Sequence, residues 1–98
     1  MMFVACLRLT LAMPENDSLK GKRAVVRRLR DRVRQRFPVA VAEVETHDDR
    51  RRITIGVACV SNDAAHGHAV LMSIRDFVED LALDAELRDV ETEVVQAF

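Results

Sequence analysis

Residues 3–13 alternate without a break: Phe3, Ala5, Leu7, Leu9, Leu11 and Met13 hold one parity, and Val4, Cys6, Arg8 and Thr10 the other. Successive side chains of a strand point to opposite faces. The run therefore predicts a strand with one face against a core and the other face turned outward. A strand so apolar on one side must find ladder partners on its edges and a layer of helix or sheet to cover it. Pro14 and Asn16 end it, and Ser18 is well placed to cap a helix that starts at Leu19.

In that helix Leu19, Val26, Leu29, Val33 and Phe37 recur at steps summing to a helical stripe, with Val25 beside them, and Pro38 stops it. Residues 39–46, VAVAEVET, read as a strand, with Ala40, Ala42 and Val44 opposing Val41, Glu43 and Glu45. The polar stretch 47–50, HDDR, is a hairpin turn into 52–60, RITIGVACV, whose Ile53, Ile55, Val57 and Cys59 share a face. Residues 61–63, SND, can cap a second helix, with Ala69, Ile74, Phe77, Val78 and Leu81 as its apolar stripe and Val70 and Leu71 flanking it. Gly67 weakens the first turn of that helix. Residues 87–95, LRDVETEVV, alternate again, with Val90, Thr92 and Val94 against Asp89, Glu91 and Glu93. The order is β-α-β-β-α-β with short connections. Right-handed crossovers then favour an α+β ferredoxin-like sandwich, a four-stranded antiparallel sheet with two helices on one face, as one domain over residues 1–98.

Apolar residues make up 49% of the chain, but there are four Phe and no Trp or Tyr, so the core must be aliphatic. No apolar run approaches the roughly 20 residues that span a bilayer. The first residues, MMFVACLRLTLAM, lack a basic leader and carry Arg8 in their middle, which reads as strand and not as signal peptide. With two isolated cysteines, the expected compartment is the cytoplasm.

Net charge is −1, yet the charges are segregated. Residues 20–36 hold nine of the 15 Lys and Arg against Asp31 alone, and residues 76–93 hold eight acids against Arg88 alone. Lys20, Arg23, Arg27, Arg30 and Arg34 form a stripe by helical spacing. Cations at a helix start oppose the helix dipole, which makes Lys20, Lys22 and Arg23 conspicuous. An N-terminus with free N–H groups and adjacent lysines favours anions. The candidate nucleic-acid-binding set is therefore Lys20, Lys22, Arg23, Arg27, Arg30 and Arg34, contacting phosphates with little base readout. Ion pairs with Glu15, Asp17 or the acidic C-terminal segment are the competing explanation. The outward sheet face offers a second surface. Val4, Cys6, Arg8, Thr54, Ala58 and Val60 form a partly apolar patch of small side chains suited to a second copy of the chain or another protein.

Other chemistry is poorly supplied. GKR at 21–23 fails the Walker pattern, which wants glycine where Asn16 stands and Ser or Thr where Arg23 stands. Cys6 and Cys59 are too far apart for a metal knuckle, and their strand phases oppose a disulfide. His66 and His68 diverge by about 200° on a helix, and His47 with Asp48 and Asp49 lies in an exposed turn, so no metal or cofactor is expected. No activated serine, Cys–His pair or buried carboxylate pair is visible, and an enzyme is not expected. Acylphosphatases share the element order, but their phosphate loop needs a glycine that AMPENDSLKGKR lacks outside the helix. RNA-binding modules of this fold stack bases on sheet-face aromatics, and none falls there. The Gly-x-x-Gly loop of KH modules is also missing.

The combination SLKGKR, then AEV, then GVACVSND resembles the YlxP-like family of small bacterial proteins over nearly the whole chain. The resemblance implies a ferredoxin-like domain of unknown function. Genes of that family often lie beside those of a translation initiation factor and a ribosome-binding factor, which implies ribosomal RNA or a ribosome assembly intermediate as partner. Relatives commonly carry a large apolar or aromatic residue in the hairpin, where this chain has HDDRRR. The leading expectation is a non-enzymatic, ribosome- or RNA-associated protein. The alternative is a homodimeric interaction module using the open sheet face, with no nucleic-acid role.

Overall fold

Six elements follow one another in the computed structural model, which covers residues 1–98: β1 (Phe3–Ala12), α1 (Leu19–Arg36), β2 (Ala40–Glu43), β3 (Arg52–Ser61), α2 (Ala64–Asp80) and β4 (Glu86–Gln96). The strands form one sheet in the order β2-β3-β1-β4, every neighbouring pair antiparallel. This is the expected ferredoxin-like α+β arrangement.

β1 and β3 are the two central strands, and each has a fully apolar face. Leu7 stands opposite Val57, Leu9 opposite Ile55 and Leu11 opposite Ile53. These six residues, with Leu29 and Val33 of α1 and Leu71, Ile74 and Val78 of α2, are buried. Full burial of an aliphatic side chain contributes about 1.5–3 kcal/mol, so this sheet–helix layer is the main source of stability. Phe37 and Phe77 join the two helices edge to face at 5.6 Å, and the Arg36 guanidinium lies 5.3 Å from the Phe77 ring centre.

Both caps form as expected. The Ser18 hydroxyl accepts from Gly21 N, and the Asp63 carboxylate accepts from Ala65 N and His66 N. Three details differ from the sequence pattern. β2 stops at Glu43 and not near residue 46, because the chain turns through Glu45, which has a left-handed φ of 69°. β4 is irregular where Thr10 pairs with Asp89 but Leu11 pairs with Leu87. The bulge skips Arg88 and so returns Leu87 to the inner face. On α2 the buried line is Gly67, Leu71, Ile74 and Val78, while Ala69 is exposed. At Gly67 that helix passes close to β1, since a Cβ there would sit 3.2 Å from Ala5 Cβ. No helix is long and apolar enough to cross a membrane.

Candidate nucleic-acid interface

α1 is held at its start by a small network. Asn16 Nδ2 donates to Ser18 O at 2.8 Å and to Arg50 O at 2.5 Å, so the capping loop is tied to the β2–β3 hairpin. Along the helix Lys20, Arg23, Arg27 and Arg34 are exposed, and Arg30 is half-buried with its Nε 3.5 Å from Asp31 Oδ1. Arg28, Arg32 and Arg36, outside the expected set, are also exposed. Apart from the Arg30–Asp31 approach and Lys22, no cation of α1 has a carboxylate within 4.0 Å. The competing explanation, pairing with Glu15, Asp17 or the C-terminal acids, is not what the side chains do within the chain.

Lys22 is the correction. It points into the protein, 0% exposed, and its Nζ donates to Glu43 Oε2 at 2.9 Å, Thr46 O at 2.6 Å and His47 O at 3.2 Å. An ammonium with all three protons committed has none to offer a phosphate. Lys22 therefore belongs to the structure and not to a binding surface. The signal was in the spacing: residues 22, 26, 29 and 33 continue the apolar stripe, and Glu43 shares the inward parity of Val41.

The acidic segment is divided. Asp89, Glu91 and Glu93 lie on β4, at the sheet edge opposite β2, whereas Asp76, Glu79 and Asp80 lie on α2, which packs beside α1, and Asp84 and Glu86 line a hollow with Gly21 and Val25. None of these carboxylates comes within 4.0 Å of a cation of α1. The exposed cations of α1 are thus not paired with them.

On the open sheet face, Arg8 is fixed by two carboxylates. Its Nε donates to Glu91 Oε1 at 3.1 Å, its Nη2 to Glu91 Oε2 at 2.8 Å and its Nη1 to Glu45 Oε1 at 2.9 Å. These partners raise the Arg8 guanidinium pKa, and Arg8 in turn lowers that of Glu91. Of the other residues expected to face a partner, Val4, Cys6 and Ala58 are half-buried and Val60 is 68% exposed. Thr54 is buried: its N–H donates to Thr46 Oγ1 and its carbonyl accepts from Val44 N, so the hairpin covers it. A trough of about 590 Å³ runs over this face, floored by Cys6, Gly56 and Ala58 and walled by Val44 and Glu93. Cys59 lies on the core face, opposite Ala5, and Cys6 on the open face, opposite Ala58, which keeps both thiols free. Burial pushes the Cys59 thiol pKa up.

A family described as "Protein of unknown function (DUF503)" matches residues 4–92. The chain is 34% identical over 62 residues to "Uncharacterized protein YlxP" of Bacillus subtilis (strain 168), covering 63% of this chain and 67% of that protein. Among solved structures it is similar to the de novo designed protein Foldit4, with a TM-score of 0.55, 17% identity and full coverage of both chains. That likeness speaks to the fold alone.

Proposed function

From the premise that this chain belongs to the DUF503 family, we propose that it is a non-enzymatic RNA-binding protein acting at the ribosome, which holds phosphates along α1. The observation that carries this reading is the row Lys20, Arg23, Arg27 and Arg34, exposed, on one helix and free of carboxylate partners. The row spans about 21 Å at 1.5 Å per residue, enough to follow a phosphate backbone. No aromatic side chain stands on that face to stack bases, so recognition is mainly electrostatic and weakly dependent on sequence. Lys22 takes no part.

The test is fluorescence anisotropy with a structured ribosomal RNA fragment across a salt series, comparing the protein with Arg27→Glu/Arg30→Glu/Arg34→Glu after circular dichroism shows the variant folded. Binding should weaken steeply with salt, by roughly 0.7–0.9 in log K per log unit of salt for each phosphate neutralised, and vanish in the variant. Absence of binding at low salt refutes the proposal.

A second reading rests on the row Val60–Val4–Val95 that crosses one end of the open sheet face. Val60 is 68% and Val95 44% exposed, and such a strip suits a second copy of the chain. In that reading light scattering shows a dimer that Val60→Lys/Val95→Lys dissociates, while the α1 variant leaves it intact. A monomer at all concentrations rules it out.

A further inference from the structure

Cations flank α1 on both sides. Its buried line passes through Lys22, Leu29 and Val33. At about 100° per residue, the crest opposite carries Lys20, Ala24, Asp31 and Gln35, all exposed. Arg23, Arg30 and Arg34 lie down one flank, with Arg27 between them and the crest. Arg28 and Arg32 lie down the other. Arg36 is turned aside onto the Phe77 ring.

Resting on the RNA-binding reading above, we infer that the RNA this helix holds is double-stranded, gripped by one flank on each phosphate ridge of an A-form duplex. A single strand offers one line of phosphates and can satisfy one flank. Two flanks a helix diameter apart, about 10–12 Å, call for two lines held at fixed separation. Single strands also gain much of their affinity from bases stacked on aromatic side chains, and α1 has none on its exposed face.

The crest decides which duplex. Ala24 is too short to reach a base, and the Asp31 carboxylate would face phosphates or base acceptors. α1 is braced by β2 and α2, which leaves it able to lie across ridges but not to sink into a groove. The major groove of B-DNA, about 12 Å wide, invites a helix to enter and read bases. The major groove of A-form RNA is deep and narrow, and proteins meet it through the phosphates along its two edges. That geometry suits a helix with basic flanks and an unreactive crest.

The test compares an RNA duplex, one of its single strands and a DNA duplex of the same sequence, each titrated into the protein, into Arg28→Glu/Arg32→Glu and into Arg28→Gln/Arg32→Gln. The glutamine variant removes the charge with least risk to the fold. The protein should bind duplex RNA roughly tenfold or more tightly than the single strand. Either variant should erase that preference while leaving single-strand affinity within about threefold. Equal binding of the single strand, equal binding of the DNA duplex, or a loss shared equally by single and double strands overturns the inference and leaves RNA binding by α1 standing. Failure of the unaltered protein to bind any of the RNAs sinks both.

Discussion

Substituting Lys22→Met takes one charge out of a site that water does not reach. The Lys22 side chain is 0% exposed and that of Glu43 10%, so the substitution leaves a nearly buried carboxylate without its cation. Breaking one side of a buried pair typically costs about 3–5 kcal/mol. Two features move the expectation to the lower half of that range. Glu43 Oε2 keeps a second donor, Thr46 Oγ1 at 3.2 Å. The His47 carbonyl sits in an exposed turn where water can replace the lost bond. The expected loss is about 3–4 kcal/mol, or roughly 15–25 °C in Tm for a chain of this length. Urea unfolding followed by circular dichroism reads it directly. Lys22→Met/Glu43→Leu removes both charges and should recover all but about 1–2 kcal/mol, the remainder being the Thr46 groups left without partners. A loss under about 1 kcal/mol in the single variant, or no recovery in the double, would refute the account of Lys22 as a buried clamp between α1 and the hairpin.

Gly67→Val should destabilise by about 2–3 kcal/mol, because the new Cβ would stand 3.2 Å from Ala5 Cβ and its methyl groups closer still. Gly67→Ala should lie near zero, the gain in helix propensity of about 1 kcal/mol offsetting the crowding. Thermal melts showing no loss for valine would mean that α2 does not approach β1 as described. Glu91, whose pKa is lowered by the Arg8 guanidinium, should titrate below the usual carboxylate range in an NMR pH series, and Arg8→Ala should raise it. Because its folded pKa is depressed, the Arg8 contact stabilises the fold above the unfolded pKa of about 4.3. That contribution is lost as pH falls through the depressed value, so the stabilities of the protein and Arg8→Ala should converge in acid. A constant difference down to the lowest pH contradicts this assignment.

Element order was legible because each element carries an unmixed signal. β1 is a pure period-two run, Ser18 and Asp63 are good caps, and Pro38 ends α1 where a break is needed. The misreadings occur where a distant contact overrides a local pattern. The length of β2 was overestimated since alternation continues through Glu45, while the backbone turns there to bring the carboxylate to Arg8. Ala69 counts as apolar in the sequence pattern yet is exposed, because the buried line of α2 passes through Gly67, whose lack of a side chain hides it from that pattern. Thr54 has the outward parity expected of it, but parity says nothing of a hairpin that folds back over it. The binding face was legible in charge and not in detail. A stripe of cations reads at once, whereas the inward turn of Lys22 becomes visible only when Glu43 is noticed on an inward position of another strand. The second flank, Arg28 and Arg32, needed the direction of the buried line.

That burial also sharpens the question of why cations start α1. No acid stands in the first turn, and each exposed cation near a helix N-terminus costs roughly 0.3–1 kcal/mol through the helix dipole. Lys22 is compensated by Glu43 and two carbonyls. Lys20 and Arg23 have no partner inside the molecule, so their cost has no return within the fold and is explained if the anion comes from outside. The consequence is measurable. Lys20→Glu/Arg23→Glu should raise stability to urea by about 0.6–2 kcal/mol, mostly through Lys20 in the first turn, where the reversal removes an unfavourable contribution of about 0.3–1 kcal/mol and adds a favourable one of similar size. The same substitution should weaken RNA binding and reduce its salt dependence by about two phosphate contacts. Stability gained together with binding lost identifies these residues as kept for a ligand. Stability gained with binding unchanged would confine the phosphate-holding row to Arg27, Arg30 and Arg34.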